Sequence, residues 1–310
     1  MRRATNRPPF GDRHGAATTS GRGGCGAPAT RREPRDAPVA SPLAFPIDWG
    51  YPHRREQVLR VVDGGTTAGR AGESAHDRSV EQRGLRSVMD VATKDCTALS
   101  DAELVEFADL CAENGNGYEV GFLSKQREEW VLVTRAREQK KLRGFAFSTL
   151  ERIGGTPSLL VGVASFTRTN CAEQALKSIM RDLFRRAVLA FPDEDVLVGT
   201  RMANAASFRG YGGLADVVPR PGHKPSGEER AWGRRLAKRF GVDGQLDDRV
   251  FVVRGDANPP GMLDYAPRKT PALAAQLAEL FTPLDGSRRD TLVAFGWAMA
   301  EDLAAGGLPK

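Results

Sequence analysis

Residues 159–166 read LLVGVASF, eight residues without a charge and without alternation of polar and apolar side chains. A strand that is apolar on both faces must lie inside a sheet and be covered on both sides. Two further strand-like runs stand just before it: residues 130–135, WVLVTR, and residues 142–153, LRGFAFSTLERI. A charged turn around residues 138–141 and the turn Gly154-Gly155-Thr156-Pro157 separate the three runs. Links this short join strands antiparallel, so a meander is expected. Residues 172–191 follow as a helix, with Leu176, Ile179, Met180, Leu183, Val188 and Leu189 at its apolar positions and Pro192 at its end. Residues 196–200 form the next strand, parallel to LLVGVASF through this crossover. The expected class is α/β, with a mixed, mostly antiparallel central sheet flanked by helices.

Local signals place the remaining elements. Ser100 and Glu103 form an S-x-x-E capping box for a helix over 100–114, whose inner face carries Leu104, Phe107, Ala108 and Cys111. Asn114-Gly115-Asn116-Gly117 ends it. A short helix over 203–211 stops at Gly212-Gly213, and a short strand is expected over 214–218. Ser226 and Glu229 open a basic helix over 226–240 in the same way. A strand over 249–254, a helix over 270–281 that starts at Thr270-Pro271, and an amphipathic terminal helix over 288–305 complete the pattern. These divide the chain into a leader (1–88), a domain (89–219) and a helical C-terminal extension packed on the domain (220–310).

Composition separates the leader from the rest. Residues 1–88 hold 15 arginines, no lysine and 9 acidic residues, which accounts for the whole net charge of +6. The basic pI therefore gives the domain no nucleic-acid face, and contact with nucleic acid is expected only through the Arg-rich leader. A segment this poor in aliphatic residues cannot bury enough surface to offset chain entropy, so it is expected to be disordered. Its lack of lysine fits GC-rich sequence read upstream of a true start at Met89; an Arg-rich tail that touches RNA or DNA is the other reading. Cys25, Cys96, Cys111 and Cys171 form no CxxC pair, and three of the four histidines (His14, His53, His76) fall in the leader, so no metal site is expected. No signal peptide is visible at residues 1–12, and the longest uncharged apolar run, 153–167, is too short to span a bilayer. No membrane partner is expected, and the expected compartment is a reducing cytoplasm.

The order helix, three antiparallel strands, long helix, strand, short helix, strand, together with NAASFRGYGGL at 204–214, resembles the GNAT superfamily of N-acetyltransferases over residues 99–219. In that family an Asn often opens the short helix and a Tyr follows seven residues later; here these are Asn204 and Tyr211, with Gly213-Leu214 where a Gly-aromatic pair often closes the motif. The resemblance implies direct transfer of an acetyl group from acetyl-CoA, as co-substrate, to an amine acceptor that the sequence does not name. Such transfer needs a polarised thioester carbonyl and a proton for the departing thiolate. By the resemblance, Tyr211 is the general acid. Backbone N–H groups at Val163 and Ser165 stand where the central strand splays from its neighbour, and the pantetheine chain lies between strands 159–166 and 196–200. Arg168, Cys171 and Ala172, in TRTNCAEQAL, meet the pyrophosphate at a helix N-terminus, and Asn204 completes the cofactor contacts. Glu173 puts a carboxylate beside that diphosphate, so weak coenzyme A binding is expected. A homodimer is compatible with the family. The alternative is a binding or regulatory protein that kept this fold and lost turnover.

Other residues read more plainly. Cys171 sits where a helix lowers a thiol pKa, but no histidine stands near it in sequence, so it is read as structural. His223 and the 193–195 acidic run are expected in solvated loops. Arg230, Arg234, Arg235, Lys238 and Arg239 form a solvated helix face or a contact for an acidic partner. Glu119, Glu151 and Asp195 are equally conceivable bases.

Overall fold

The computed structural model describes residues 89–306; the leader expected over 1–88 lies outside the described residues. In chain order the strands are β1 (Met89–Asp95), β2 (Leu132–Glu138), β3 (Lys141–Ile153), β4 (Thr156–Phe166), β5 (Val196–Met202), β6 (Ala215–Val218), β7 (Leu246–Asp247), β8 (Val252–Val253), β9 (Leu263–Asp264) and β10 (Thr291–Ala298). The helices are α1 (Asp101–Asn114), α2 (Val120–Glu129), α3 (Ala172–Ala190), α4 (Gly227–Arg239), α5 (Ala272–Gln276) and α6 (Ala300–Ala304). Among the described residues no helix is long and apolar enough to cross a membrane.

β4 is the core of the sheet, buried from Pro157 to Phe166 as its two-faced apolarity requires. It pairs with β3 antiparallel and with β5 parallel. β1 and β2 extend the meander outward, and β5 continues through β10 to β8 and β7. α1 and α3 cover opposite faces. Phe107 of α1 stacks on Phe145 of β3 with ring centroids 4.4 Å apart. On the other face Thr93 bonds to Thr134 and donates to Asp182 of α3. Both capping boxes form, at Ser100–Glu103 and Ser226–Glu229.

The segment 288–305 is corrected: it holds a strand and one helical turn, not an amphipathic helix. β10 is hydrogen-bonded to β5 along its length on one side and to β6 and β8 on the other. Its run TLVAFGWA is buried almost throughout, and a continuous apolar run satisfies the helical and the strand period equally. Gly296 lets β6 approach, since a Cβ there would stand 3.0 Å from Val217 Cγ2. The expected strand over 249–254 shrinks to β8, because Phe251 takes φ 59° and breaks the extended run. The short helix after β5 is a 3-10 helix, Ala205–Tyr211. β1 and α2 were not anticipated.

Candidate functional site

β4 and β5 run side by side for four residue pairs, from Ser158↔Leu197 to Val161↔Thr200. At the last pair Thr200 Oγ1 donates to Val161 O at 2.7 Å, and beyond it the strands part. The wedge they leave is filled by the chain itself. β9 enters parallel to β4, pairing Ala164 with Leu263 and Ser165 with Asp264. The Ala164 N–H, between Val163 and Ser165, donates to Met262 O at 3.0 Å. On the other flank Ser207 Oγ donates to Leu263 O at 3.0 Å and accepts from Tyr265 N at 3.2 Å. Leu263 and Tyr265 are each 1% exposed.

A buried polar knot closes the wide end. Ser165 Oγ accepts from Asn114 Nδ2 at 2.9 Å and from Asn116 Nδ2 at 3.0 Å. Asn116 Nδ2 also donates to Asp264 Oδ2 at 3.1 Å, while Asn116 Oδ1 is buried with no partner among the described residues. Burial raises the Asp264 pKa, with Asn116 and the charge of Arg168 acting against it. Burial likewise pushes the neighbouring Cys111 thiol up to about 12.

Tyr211 is not in this wedge. Its hydroxyl donates to Ala294 O of β10 at 2.8 Å, with Val198 O of β5 at 3.4 Å, on the side of β5 away from β4. Burial holds its pKa far above the phenol value. A phenol fully engaged inside the sheet cannot hand a proton to a thiolate, so this geometry does not fit the general acid expected there. Asn204 caps the 3-10 helix, accepting from Ser207 N at 3.1 Å.

Two cavities flank the wedge. One, of about 600 Å³, faces the start of α3 and is lined by Thr169, Asn170, Glu173, Arg209, Arg268 and Lys269 among others. Cys171 and Ala172 are the first residues of this turn; the Cys171 side chain makes no cap bond, and the Cys171 N–H donates to Thr169 Oγ1 at 3.4 Å. Glu173, itself part of the lining, is paired: Arg209 Nη2 meets its Oε1 at 2.7 Å and Lys177 Nζ at 2.9 Å. The expected repulsion of a diphosphate by Glu173 is therefore largely neutralised. Arg168, expected at this place, lines the other cavity, of about 400 Å³, with Asn116, Asp264, Phe281, Leu284 and Arg289. Cys171 Sγ contacts Glu138 Oε2 at 3.2 Å; burial first, then Glu138, raises its pKa, the reverse of helix-start activation.

Glu119 is exposed at the N-cap of α2, where its side chain makes no cap bond; the other candidates are engaged in structure. Glu151 accepts from Arg239 Nε at 2.6 Å, Asp195 accepts from Ala300 N at 2.8 Å, and His223 Nε2 meets Glu229 Oε2 at 2.8 Å. The basic face of α4 is largely used within the chain, with Arg235 over Trp232, Arg239 over Trp130 and Arg234 paired to Asp248. Among the described residues no group of three or more His, Cys, Asp or Glu is placed to hold a metal ion.

No family model matches the chain. Several solved structures resemble part of it. The aminoglycoside 6'-N-acetyltransferase from Enterococcus faecium aligns over 36% of this chain and 61% of its own, at 13% identity and a TM-score of 0.29. This chain thus spans less than two thirds of that enzyme. The ribosomal-protein-S18-alanine N-acetyltransferase from Escherichia coli aligns over 45% and 86%, at 12% identity and a TM-score of 0.32. Escherichia coli ElaA aligns over 45% and 95%, at 13% identity and the same TM-score of 0.32. By its own order of elements, with a helix pair, an antiparallel meander, a long crossover helix and β4 parting from β5, this chain carries a divergent GNAT-like segment.

Proposed function

We propose that this chain is a non-catalytic protein on a GNAT-like fold, with a binding or regulatory role in place of acyl-CoA turnover. One observation carries the reading: β9 occupies the wedge in which a pantetheine chain would lie, pairing with Ala164 and Ser165, and Met262 O takes the Ala164 N–H on that edge of β4. The magnitudes favour it. Expelling β9 exposes Leu263 and Tyr265, at about 1.5–3 kcal/mol for each large apolar side chain. Together that cost, about 3–6 kcal/mol, lowers apparent coenzyme A affinity by about 100- to 20,000-fold before any new contact forms.

A second reading, acyl-CoA-dependent transfer of an acetyl group to an amine, is supported by the cavity at the start of α3. There Arg209, Arg268 and Lys269 stand near the first turn, and Glu173 is neutralised. It requires β9 to leave. Calorimetry with coenzyme A and with acetyl-CoA, followed by a transfer assay over polyamine and peptide amines, separates the two readings. We expect no heat at millimolar coenzyme A and no transfer. Acetyl transfer above the uncatalysed rate would replace the first reading with the second.

A further inference from the structure

The cavity beside the wedge is lined by charged groups of both signs, Asp264 with Arg168 and Arg289. We infer that it is a binding site for a small zwitterion of the α-amino acid class. At about 400 Å³ it lies at the small end of ligand clefts. Its floor is Asp264, 6% exposed, whose carboxylate accepts one hydrogen bond among the described residues, from Asn116. Beside it Asn116 Oδ1 is buried without a donor among the described residues. These two acceptors match an ammonium group, which supplies three donors and offsets the cost of the buried carboxylate. At the rim stand Arg168 and Arg289, both exposed; the charge of Arg168 acts on Asp264, and among the described residues neither arginine is within contact distance of a carboxylate. Two guanidinium groups match a carboxylate. Phe281 and Leu284 form an apolar wall for a side chain.

A purely anionic ligand would meet Asp264, and a purely cationic one would meet two arginines. One small molecule carrying both charges satisfies the set. The inference rests on β9 staying in the wedge, as the proposed function does, because Asp264 belongs to β9.

The test is calorimetry on the full chain with L-leucine, N-acetyl-L-leucine and L-leucinamide, and separately with coenzyme A. L-leucine should bind, and blocking either end should weaken binding about 10- to 100-fold, the range for a lost charged hydrogen bond. Asp264→Asn should abolish L-leucine binding, with its melt checked because the residue is buried. Arg168→Ala, at an exposed rim, should weaken L-leucine and leave leucinamide unchanged. If L-leucine, L-methionine and L-phenylalanine all give no heat at millimolar concentration, the site is not one. Equal binding of the blocked and free forms would also overturn it. Coenzyme A binding would overturn the proposed function instead, a result that the coenzyme A titration reads independently.

Discussion

Ala164 and Met262 are bonded as neighbouring strands are: the amide of one donates to the carbonyl of the other at 3.0 Å, across the gap where β4 and β5 part. The segment that supplies Met262 is thereby part of the sheet. Leu263 sits beside it at 1% exposure, with Ser207 holding its carbonyl. Leu263→Ala should therefore cost about 2–5 kcal/mol, as buried leucine truncations do. Urea unfolding measures this, and amide exchange at Ala164 reports the strand bond directly. A loss well below 1 kcal/mol, with fast exchange at Ala164, would show β9 to be a loose strap, and the second reading of function would gain.

Tyr211 acts within the sheet. Tyr211→Phe keeps the ring, which packs edge-on against Phe208, and removes the donor to Ala294 O. The expected effect is a stability loss of about 1 kcal/mol, the net worth of one buried hydrogen bond. Guanidinium unfolding at constant slope would show it. A fall in acetyl transfer with unchanged stability would return Tyr211 to a catalytic role.

What the sequence disclosed was decided locally or by burial on two faces. Ser100–Glu103 and Ser226–Glu229 are three-residue signals, and the helices they open stand where expected. LLVGVASF has no polar face, so only the middle of the sheet suits it, and its parallel pairing with β5 follows from the intervening helix. β9 has no such signal. It is two residues long, preceded by Pro259-Pro260-Gly261, and its place is set by pairing with a strand far away in the chain. The Asn204–Tyr211 spacing was visible, but spacing along a short helix does not say which strand a side chain meets. Tyr211 met β10, whose strand character was itself hidden in a run that suits either period. α2 escaped notice because its N-cap, Glu119, makes no side-chain cap bond and its buried positions are few, Leu123 and Gln126.

Gly162 and Trp130 form a close contact. A Cβ at Gly162 would stand 1.9 Å from Trp130 Cε2, and the indole is held by Gln126 Oε1 at 3.0 Å from its Nε1. Gly162→Ala should therefore destabilise by at least the 1–3 kcal/mol typical of overpacking, roughly the upper end or above. The indole must tilt, so tryptophan emission should shift. Combining it with Trp130→Phe should recover part of the loss, because the two side chains share one space. Strict additivity in that cycle would mean that the contact does not form in solution.

The acid side of the stability curve should carry a signature of Glu103. Burial opposes its ionised form, but Lys94 Nζ at 2.5 Å, Ser100 N at 3.0 Å and Ser100 Oγ at 2.8 Å outweigh that, and Arg135 also bonds to it. The carboxyl is held down to about 2 from its ordinary value of 4.5. A depressed carboxyl pKa stabilises fully above the unfolded value and loses that contribution as pH falls through the folded one. The window is therefore from about 4.5 down to about 2. Asp182, Glu173 and Glu229 are also lowered, so the chain stays acid-labile without Glu103. The informative quantity is the difference between two curves, measured by urea unfolding at stepped pH. Glu103→Gln keeps an acceptor for the capping box and removes the charge. It should be less stable than the parent near neutral pH, and the gap should close across that window. A gap that stays constant from about pH 5 to about pH 2 would mean that the charge pairing of Glu103 with Lys94 and Arg135 contributes nothing in water, as exposed pairs commonly do not.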